Sequence, residues 1–334
     1  MIMSPMQASP IPFPDSSVFN GAVLLTGLGI VGATGPDAAA FLHGQLSQDM
    51  NGLSSTEARP AAYCSAKGRM LASFVAMRPE ADTFWLLADA GVLPAVVKRL
   101  SMFVLRSKVK VADAGADMAL VGLLGAAAEQ ALGESVPAQA WGVVPHPSSS
   151  GWVLRLPDVQ GVTRCLWVGP RSQAEQVAAA VEAIQESAWN WLDVMSGVAR
   201  IEAATVEQFV PQMINFELVG GVNFKKGCYP GQEVVARSQY RGTLKRRAFL
   251  LHGPAPMQAG QEVFSENDPT QPAGMVANAA PVPVTVEGAA PHYSALVELK
   301  LQALDAPWHL GSADGPLLSL GTLPYEIPSG DAAG

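Results

Sequence analysis

The chain has little charge and few cysteines, and both scarcities limit what it can be. Of its 334 residues only 15% are Asp, Glu, Lys or Arg, whereas 49% are hydrophobic. Such a chain buries a large core, which excludes a mainly disordered protein, and its length predicts two or three domains. The three cysteines, Cys64, Cys165 and Cys228, lie far apart in the sequence. They therefore predict neither a disulfide framework nor a C-x-x-C metal half-site.

Positive charge is scarce as well. Lys and Arg total 21 against 29 Asp and Glu, which gives a net charge of −8 and an isoelectric point near 5.1. This balance argues against a surface built to grip phosphate backbones, so no strong direct nucleic-acid binding is expected. No Lys or Arg precedes Arg59, and no hydrophobic run is long enough to span a membrane. We therefore expect a cytoplasmic protein without a membrane partner.

Several catalytic and metal-binding signatures are missing. The five histidines show no metal-ligand spacing, and neither a G-x-S-x-G elbow nor a Walker A loop occurs. One weak motif is present, because Gly27, Gly29 and Gly32 match the G-x-G-x-x-G dinucleotide pattern. Helix entry is delayed beyond these glycines by Gly35-Pro36. A glycine-rich turn between buried strands is the favoured interpretation, and a dinucleotide-dependent oxidoreductase remains an alternative.

The positive charge that exists is concentrated in one window. Seven of the 21 basic residues fall between Lys225 and Arg247, where Glu233 is the only acid. Cys228 lies beside Lys225 and Lys226, and neighbouring ammonium groups stabilise a thiolate. A helix reaching from Pro230 toward Arg237 would place this thiol near a positive helix end. The window predicts an anion site with a functional thiol, and the alternative is a solvated basic face with a structural cysteine.

The pattern of predicted strands and helices changes along the chain. Residues 1–20 are proline-rich and predict a flexible lead-in. Residues 21–115 and 116–246 each mix strand and helix patterns, and residues 247–330 hold short strands separated by frequent turns. We therefore predict two α/β lobes followed by a small β-sandwich or β-barrel.

Four segments carry a resemblance to a known family. Residues 226–233 have the sequence K-G-C-Y-P-G-Q-E, and residues 41–49 have F-L-H-G-Q-L-S-Q-D. Residues 67–69 form K-G-R, and residues 197–202 form G-V-A-R-I-E. In this order the segments resemble those of the YgfZ family, whose hallmark is K-G-C-[FY]-x-G-Q-E. The resemblance covers about residues 20–325 and is strongest between Val194 and Arg247.

The resemblance implies a fold shared with the T protein of the glycine cleavage system. That fold is α+β, with two ferredoxin-like lobes that exchange segments and a C-terminal β-barrel around a central hole that receives tetrahydrofolate. The implied role is folate-dependent support of iron–sulfur cluster assembly or repair in the bacterial cytoplasm, with a linked effect on tRNA modification. Implied partners are iron–sulfur client or assembly proteins. A folate-dependent aminomethyl or one-carbon transferase is the alternative, but residues 68–73 lack the carboxylate that T proteins carry there.

The resemblance also implies roles for individual residues. Cys228 is implied as the functional thiol, whether as a nucleophile, a redox thiol or a transient iron ligand, and no stable metal site is expected. Positive charge for the glutamate tail of folate is implied to come from Lys225, Lys226, Arg237 and Arg241. Arg200 and Glu202 are implied to contact its pterin. The implied folate-binding set is Gln45, Asp49, Lys67, Arg200, Glu202, Lys225, Lys226, Gly227, Gly231, Gln232, Glu233, Arg237 and Arg241.

Overall fold

A computed structural model describes residues 13–240, 244–283 and 290–328. Its α-helices are α1 (Ala38–Gln45), α2 (Leu93–Phe103), α3 (Ala126–Leu132), α4 (Arg171–Ala178), α5 (Glu186–Met195) and α6 (Gln232–Tyr240). Its strands are β1 (Gly21–Leu24), β2 (Leu28–Thr34), β3 (Ala58–Cys64), β4 (Met70–Glu80), β5 (Thr83–Asp89), β6 (Lys110–Asp113), β7 (Met118–Leu124), β8 (Val143–Pro145), β9 (Trp152–Val159), β10 (Val162–Pro170), β11 (Arg246–Gly253), β12 (Glu262–Ser265), β13 (Asp268–Pro281), β14 (Tyr293–Lys300), β15 (Trp308–Leu310) and β16 (Leu317–Leu320).

The strands form two open sheets and one closed barrel. The first sheet has the order β3-β4-β5-β2-β6, the second has the order β1-β7-β10-β9-β8, and β11-β14-β13-β12-β15-β16 close the barrel. Paired strands within the sheets and the barrel are antiparallel. This arrangement confirms the predicted α+β class with a C-terminal barrel. Strand β1 joins the second sheet although it precedes the whole first sheet, and the predicted domain boundaries stay predictions.

The largest hydrophobic core lies where the two sheets and the barrel meet. Its members include Ile30 and Met77 from the first sheet, Leu124 from the second, and Leu250 and Leu296 from the barrel, all almost fully buried. Burying one such side chain stabilises the fold by about 1.5–3 kcal/mol. Smaller cores fill the outer side of each sheet and the barrel interior. The shared core therefore holds the three units together.

Helix α5 acts as a spacer between the second sheet and the barrel. The Trp189 ring packs so closely on Gly122 of β7 that a Cβ atom there would lie 2.4 Å from the ring. Two residues later, the indole Nε1 of Trp191 donates to the Ser294 hydroxyl of β14 at 2.9 Å. A glycine facing one tryptophan and a serine facing the other therefore fix α5 between its two neighbours.

The glycine motif does not form a dinucleotide fingerprint. Gly29 and Gly32 lie within β2, and this strand pairs antiparallel with β5 and β6. A fingerprint requires glycines in the turn that opens a helix of a parallel βαβ unit, whereas α1 begins only at Ala38. The oxidoreductase alternative based on these glycines is therefore wrong. No helix within the described ranges has the length and apolar character needed to cross a membrane.

Candidate functional site

A cavity of about 380 Å³ lies at the centre of the described structure. Its walls come from both sheets, from α5, from the segment 196–202 and from the end of β13. Most lining residues are apolar, but a polar group stands at one side: Asp89, Arg164, Asp193, Arg200, Glu202 and Asn278. An apolar cavity with a few convergent polar groups is the usual form of a small-molecule site.

Asp193 links two arginines in this cavity. Its Oδ1 accepts a hydrogen bond from Nη2 of Arg164, and its Oδ2 lies 3.1 Å from Nη1 of Arg200. Arg164 is only 1% exposed, and burial lowers the pKa of its guanidinium whereas the charge of Asp193 opposes that change. The carboxylate of Asp89 lies 3.6 Å from Nε of Arg200. Asp193 is therefore the principal counter-charge of a fully buried arginine.

Asn278 of β13 holds the segment that carries Arg200 and Glu202. Its amide accepts from the Arg200 backbone N–H at 2.7 Å and donates to the Arg200 carbonyl at 2.8 Å. Its Nδ2 also donates to Oε1 of Glu202 at 2.8 Å. Burial raises the pKa of the carboxyl groups of Glu202 and Asp89 above their ordinary values. The cavity therefore presents carboxyl groups that hold a proton more readily than exposed ones.

Three N–H groups of the cavity-lining residues are buried without a hydrogen bond, although the Asp89 carboxylate lies 3.6 Å from that of Arg200. Within the described residues, Nε of Arg164, Nε1 of Trp189 and Nε of Arg200 make no hydrogen bond. A buried donor without a partner costs about 1–3 kcal/mol. A ligand that carries several acceptor atoms would remove this cost by accepting hydrogen bonds from these groups. The polar side of the cavity therefore suits a ligand rich in acceptor atoms.

The hallmark loop, residues 225–231, lies elsewhere, against the end of α1. Nζ of Lys226 donates to the carbonyl oxygens of His43 and Leu46, the latter at 2.8 Å. Burial lowers the pKa of Lys226 to about 8, although the nearby charges of Asp49 and Cys228 oppose this change. Cations are favoured at the carbonyl end of a helix. Lys226 thus fastens the loop to α1.

The loop leads directly into α6. Gly231 has a φ of 78°, and a Cβ atom there would lie 2.4 Å from the Ser65 carbonyl oxygen, so glycine is required. The predicted helix toward Arg237 is confirmed, because α6 begins at Gln232 and reaches Tyr240. Arg237 pairs with Glu233 at 2.8 Å on the exposed face of this helix.

Exposure differs sharply along the loop. Lys225, Gly227 and Cys228 are exposed, Gln232 is half-buried, and Tyr229 is buried with its ring 4.9 Å from Nζ of Lys226. The thiol of Cys228 is therefore accessible, while the two other cysteines are buried. The loop presents one thiol to solvent above a buried ring.

The remaining predicted residues divide between the two places. Asp49 accepts from His43, whose Nδ1 lies 3.0 Å away, Gln45 ends α1, and Lys67 is exposed in the turn beside Gly231. These three lie with the hallmark loop and are not among the residues that line the cavity. Their place differs from the expectation that they line the central hole. Arg241 lies outside the described residues.

Sequence reasoning missed Asp89, Arg164, Trp189, Asp193 and Asn278. One signal was available, because Arg164 is an isolated cation in the apolar strand V-T-R-C-L-W-V. A charge inside a buried strand requires a partner. The described ranges contain no group of three or more His, Cys, Asp or Glu side chains placed to hold a metal ion.

Comparisons with known proteins give both a family and a fold. No family model matches the chain. The tRNA-modifying protein YgfZ of Photorhabdus laumondii is 33% identical over 254 residues, covering 74% of this chain and 75% of that protein. The protein of the same name from Edwardsiella ictaluri is 33% identical over 247 residues, covering 67% of this chain and 69% of its own. Aminomethyltransferase T of the glycine cleavage system from Bartonella henselae superimposes with a TM-score of 0.71 at 18% identity, covering 92% of this chain and 86% of that one.

Proposed function

The chain belongs to the YgfZ family, and on that premise we propose that it binds tetrahydrofolate or a derivative and supports iron–sulfur cluster assembly or repair. Its effect on tRNA modification would then be indirect, through iron–sulfur proteins of the bacterial cytoplasm that modify tRNA. The curated relatives are named tRNA-modifying proteins, which agrees with an effect on tRNA. The partners we propose are iron–sulfur client or assembly proteins.

The unpartnered N–H groups in the central cavity carry this proposal. Nε of Arg164 and Nε1 of Trp189 have no hydrogen-bond acceptor, and Nε of Arg200 has only the Asp89 carboxylate at 3.6 Å. A pterin ring supplies ring nitrogens and a carbonyl oxygen, and its amino groups would donate to Glu202 and Asn278. The volume of about 380 Å³ falls within the range of about 300–1,000 Å³ typical of small-molecule sites. The residues present therefore fit a pterin.

The hallmark loop would serve the second part of the function. Cys228 is an exposed thiol in a loop that also carries the exposed cation Lys225, and Arg237 follows on α6. We propose that these groups face the glutamate tail of folate or a partner that carries a cluster. Cys228 would act as a nucleophile, a redox thiol or a transient iron ligand, with the cluster as cargo.

Calorimetric titration of the reduced full chain with tetrahydrofolate tests the cavity. The informative variant is Trp189→Phe, which keeps an aromatic side chain and removes an unpartnered donor. Loss of the buried unsatisfied N–H offsets the cost of placing a smaller ring at this packed position, so we expect little net change in stability without ligand. We also expect weaker folate binding, because the donor is no longer available to the ligand.

Trp191→Phe is the matched control. It removes the same indole nitrogen from the same helix, but that nitrogen already donates to Ser294. This variant should lose stability and keep its folate affinity. Folate binding that is absent, or that responds equally to both substitutions, would refute the cavity as the folate site.

Cys228→Ala tests the loop separately. Because the thiol is exposed, the substitution should change the free energy of unfolding by less than about 0.5 kcal/mol. It should abolish the support of iron–sulfur enzymes in cells that lack the native protein. Full activity of the variant would eliminate the thiol from the mechanism.

A second candidate function is folate-dependent one-carbon transfer. Strand β4 places Ser73, not a carboxylate, on the cavity wall, but Asp89 and Glu202 reach the cavity from other elements with a raised pKa. A carboxyl group with a raised pKa is better suited to general acid catalysis than an exposed one. Transfer of a one-carbon unit from methylene-tetrahydrofolate to an amine, lost in Glu202→Gln, would establish this activity.

A further inference from the structure

A second concentration of positive charge lies in residues 98–110, here named the basic tip, at the end of α2 and the start of β6. It contains five cations and no acid in a chain of net charge −8. All five are exposed, and none forms an ion pair within the described residues: Lys98, Arg99, Arg106, Lys108 and Lys110. The carboxylate of Asp37 contacts the tip, but it accepts a hydrogen bond from the backbone N–H of Lys108 and forms no ion pair with the Lys108 side chain.

The same tip exposes large apolar side chains. Met102 is 66% exposed, Phe103 is 43% exposed and Leu105 is 86% exposed. They make up three of the six large apolar side chains that the described residues present to solvent. A contiguous apolar group rimmed by charge marks an interaction surface.

Leu105 conflicts with its surroundings in two ways. Its side chain has almost no contact with the protein, and its φ of 46° lies in the left-handed region that leucine disfavours. Stability alone would select Asn or Gly at this position. An apolar residue that is exposed to water and has a disfavoured backbone conformation is expected where an external partner covers it.

We propose that the basic tip binds the surface of a membrane containing anionic lipids. Lys and Arg are attracted to anionic headgroups, and exposed leucine, methionine and phenylalanine insert at the acyl boundary. An RNA partner is less suited, because Leu105 and Met102 offer no face for base stacking and the Phe103 ring already lies under Arg99, whose Cζ is 5.7 Å from its centroid. The residues of the tip are not among those that line the central cavity.

Surface binding of this kind requires no spanning segment. It departs from the expectation of no membrane partner, which followed from the lack of long hydrophobic runs. It is also independent of folate and of Cys228, because the residues of the tip belong neither to the central cavity nor to the hallmark loop.

Cosedimentation of the full chain with vesicles tests the proposal. The vesicles contain phosphatidylcholine alone or an equal mixture with phosphatidylglycerol. We expect binding to the anionic vesicles that weakens at higher ionic strength. Arg106→Ala should lower the partition coefficient about fivefold. Arg171→Gln, which removes an exposed cation outside the tip and outside residues 225–247, should leave it unchanged.

Leu105→Asn separates binding from folding. Asparagine tolerates the left-handed backbone, so the melting temperature should stay the same or rise, while the partition coefficient should fall about tenfold through loss of the apolar anchor. Leu317→Asn is the control, since that side chain is 57% exposed on the barrel. Absence of vesicle binding, equal losses in the control variants, or binding of bulk tRNA through Arg106 and Leu105 instead of vesicles would overturn the proposal.

Discussion

Removing the carboxylate of Asp193 should destabilise the protein strongly. Its partner Arg164 is 1% exposed and has no other carboxylate within ion-pair distance in the described chain. In Asp193→Ala a guanidinium therefore stays buried without a counter-charge. Breaking a buried pair in this way costs about 3–5 kcal/mol. The Trp189 ring, whose centroid lies 5.2 Å from Cζ of Arg164, would retain a small part of the stabilisation.

Urea unfolding followed by circular dichroism and tryptophan fluorescence would measure this loss. Three packed units need not unfold in one step, so the two signals are compared over the whole transition. Glu57→Ala is the matched control, because Glu57 also pairs with an arginine, Arg59, but is 39% exposed. It should cost no more than about 1 kcal/mol.

A double substitution checks the reason for the loss. In Arg164→Met with Asp193→Ala no unpaired charge remains buried, so most of the lost stability should return. If Asp193→Ala alone costs no more than Glu57→Ala, the assignment of Asp193 as the counter-charge of Arg164 is refuted.

Three further substitutions probe the cavity and the loop. Glu202→Gln should flatten the pH dependence of the melting temperature. Burial raises the pKa of Glu202 in the folded state, so the folded protein binds the proton more tightly than the unfolded chain does. The contribution of Glu202 to the free energy of unfolding is therefore present at low pH and declines as pH rises from about 4.5. An unchanged pH profile would contradict this. Lys226→Met should lower the hydrogen-exchange protection of the last turn of α1, since the bonds to the carbonyls of His43 and Leu46 are lost, at about 1–3 kcal/mol. Gly231→Ala should cost at least about 1–2 kcal/mol in thermal unfolding, because Gly231 has a positive φ. In the control Gly227→Ala the added Cβ meets only the His43 ring, so the cost should be under about 0.5 kcal/mol. Equal costs would argue against strain at Gly231.

The fold could be predicted from the sequence because local signals agreed with one another. Residues 226–233 resemble a specific family hallmark, and α6 follows where Pro230 and Glu233 place a helix start. Strand-rich texture after Arg247 corresponds to a barrel that begins with β11 at Arg246. Each of these features depends on neighbouring residues, which a sequence displays directly.

The polar cavity could not be predicted in the same way. Arg164 and Asp193 are 29 positions apart, and Arg200 and Asn278 are 78 apart, so their pairing depends on how α5 and β13 pack. The chemistry of Lys226 was hidden for the same reason. Composition suggests that the ammonium group of Lys226 is free to bind an anion. In the structure this group instead donates to two carbonyl oxygens of residues about 180 positions earlier in the chain.

Strand β4 joins the two places where the predicted site residues lie. Just before it, Gly68 packs on Gly231 of the hallmark loop. At Ser73 the strand reaches the cavity wall, where its hydroxyl accepts from the Ile201 N–H at 2.9 Å. Three strand residues span about 10 Å from Met70 to Ser73. One rigid element thus holds the loop with its thiol in a fixed position relative to the segment that carries Arg200. Because Cys228 is exposed and is not among the residues that line the cavity, a pterin in the cavity would leave the thiol accessible to a partner.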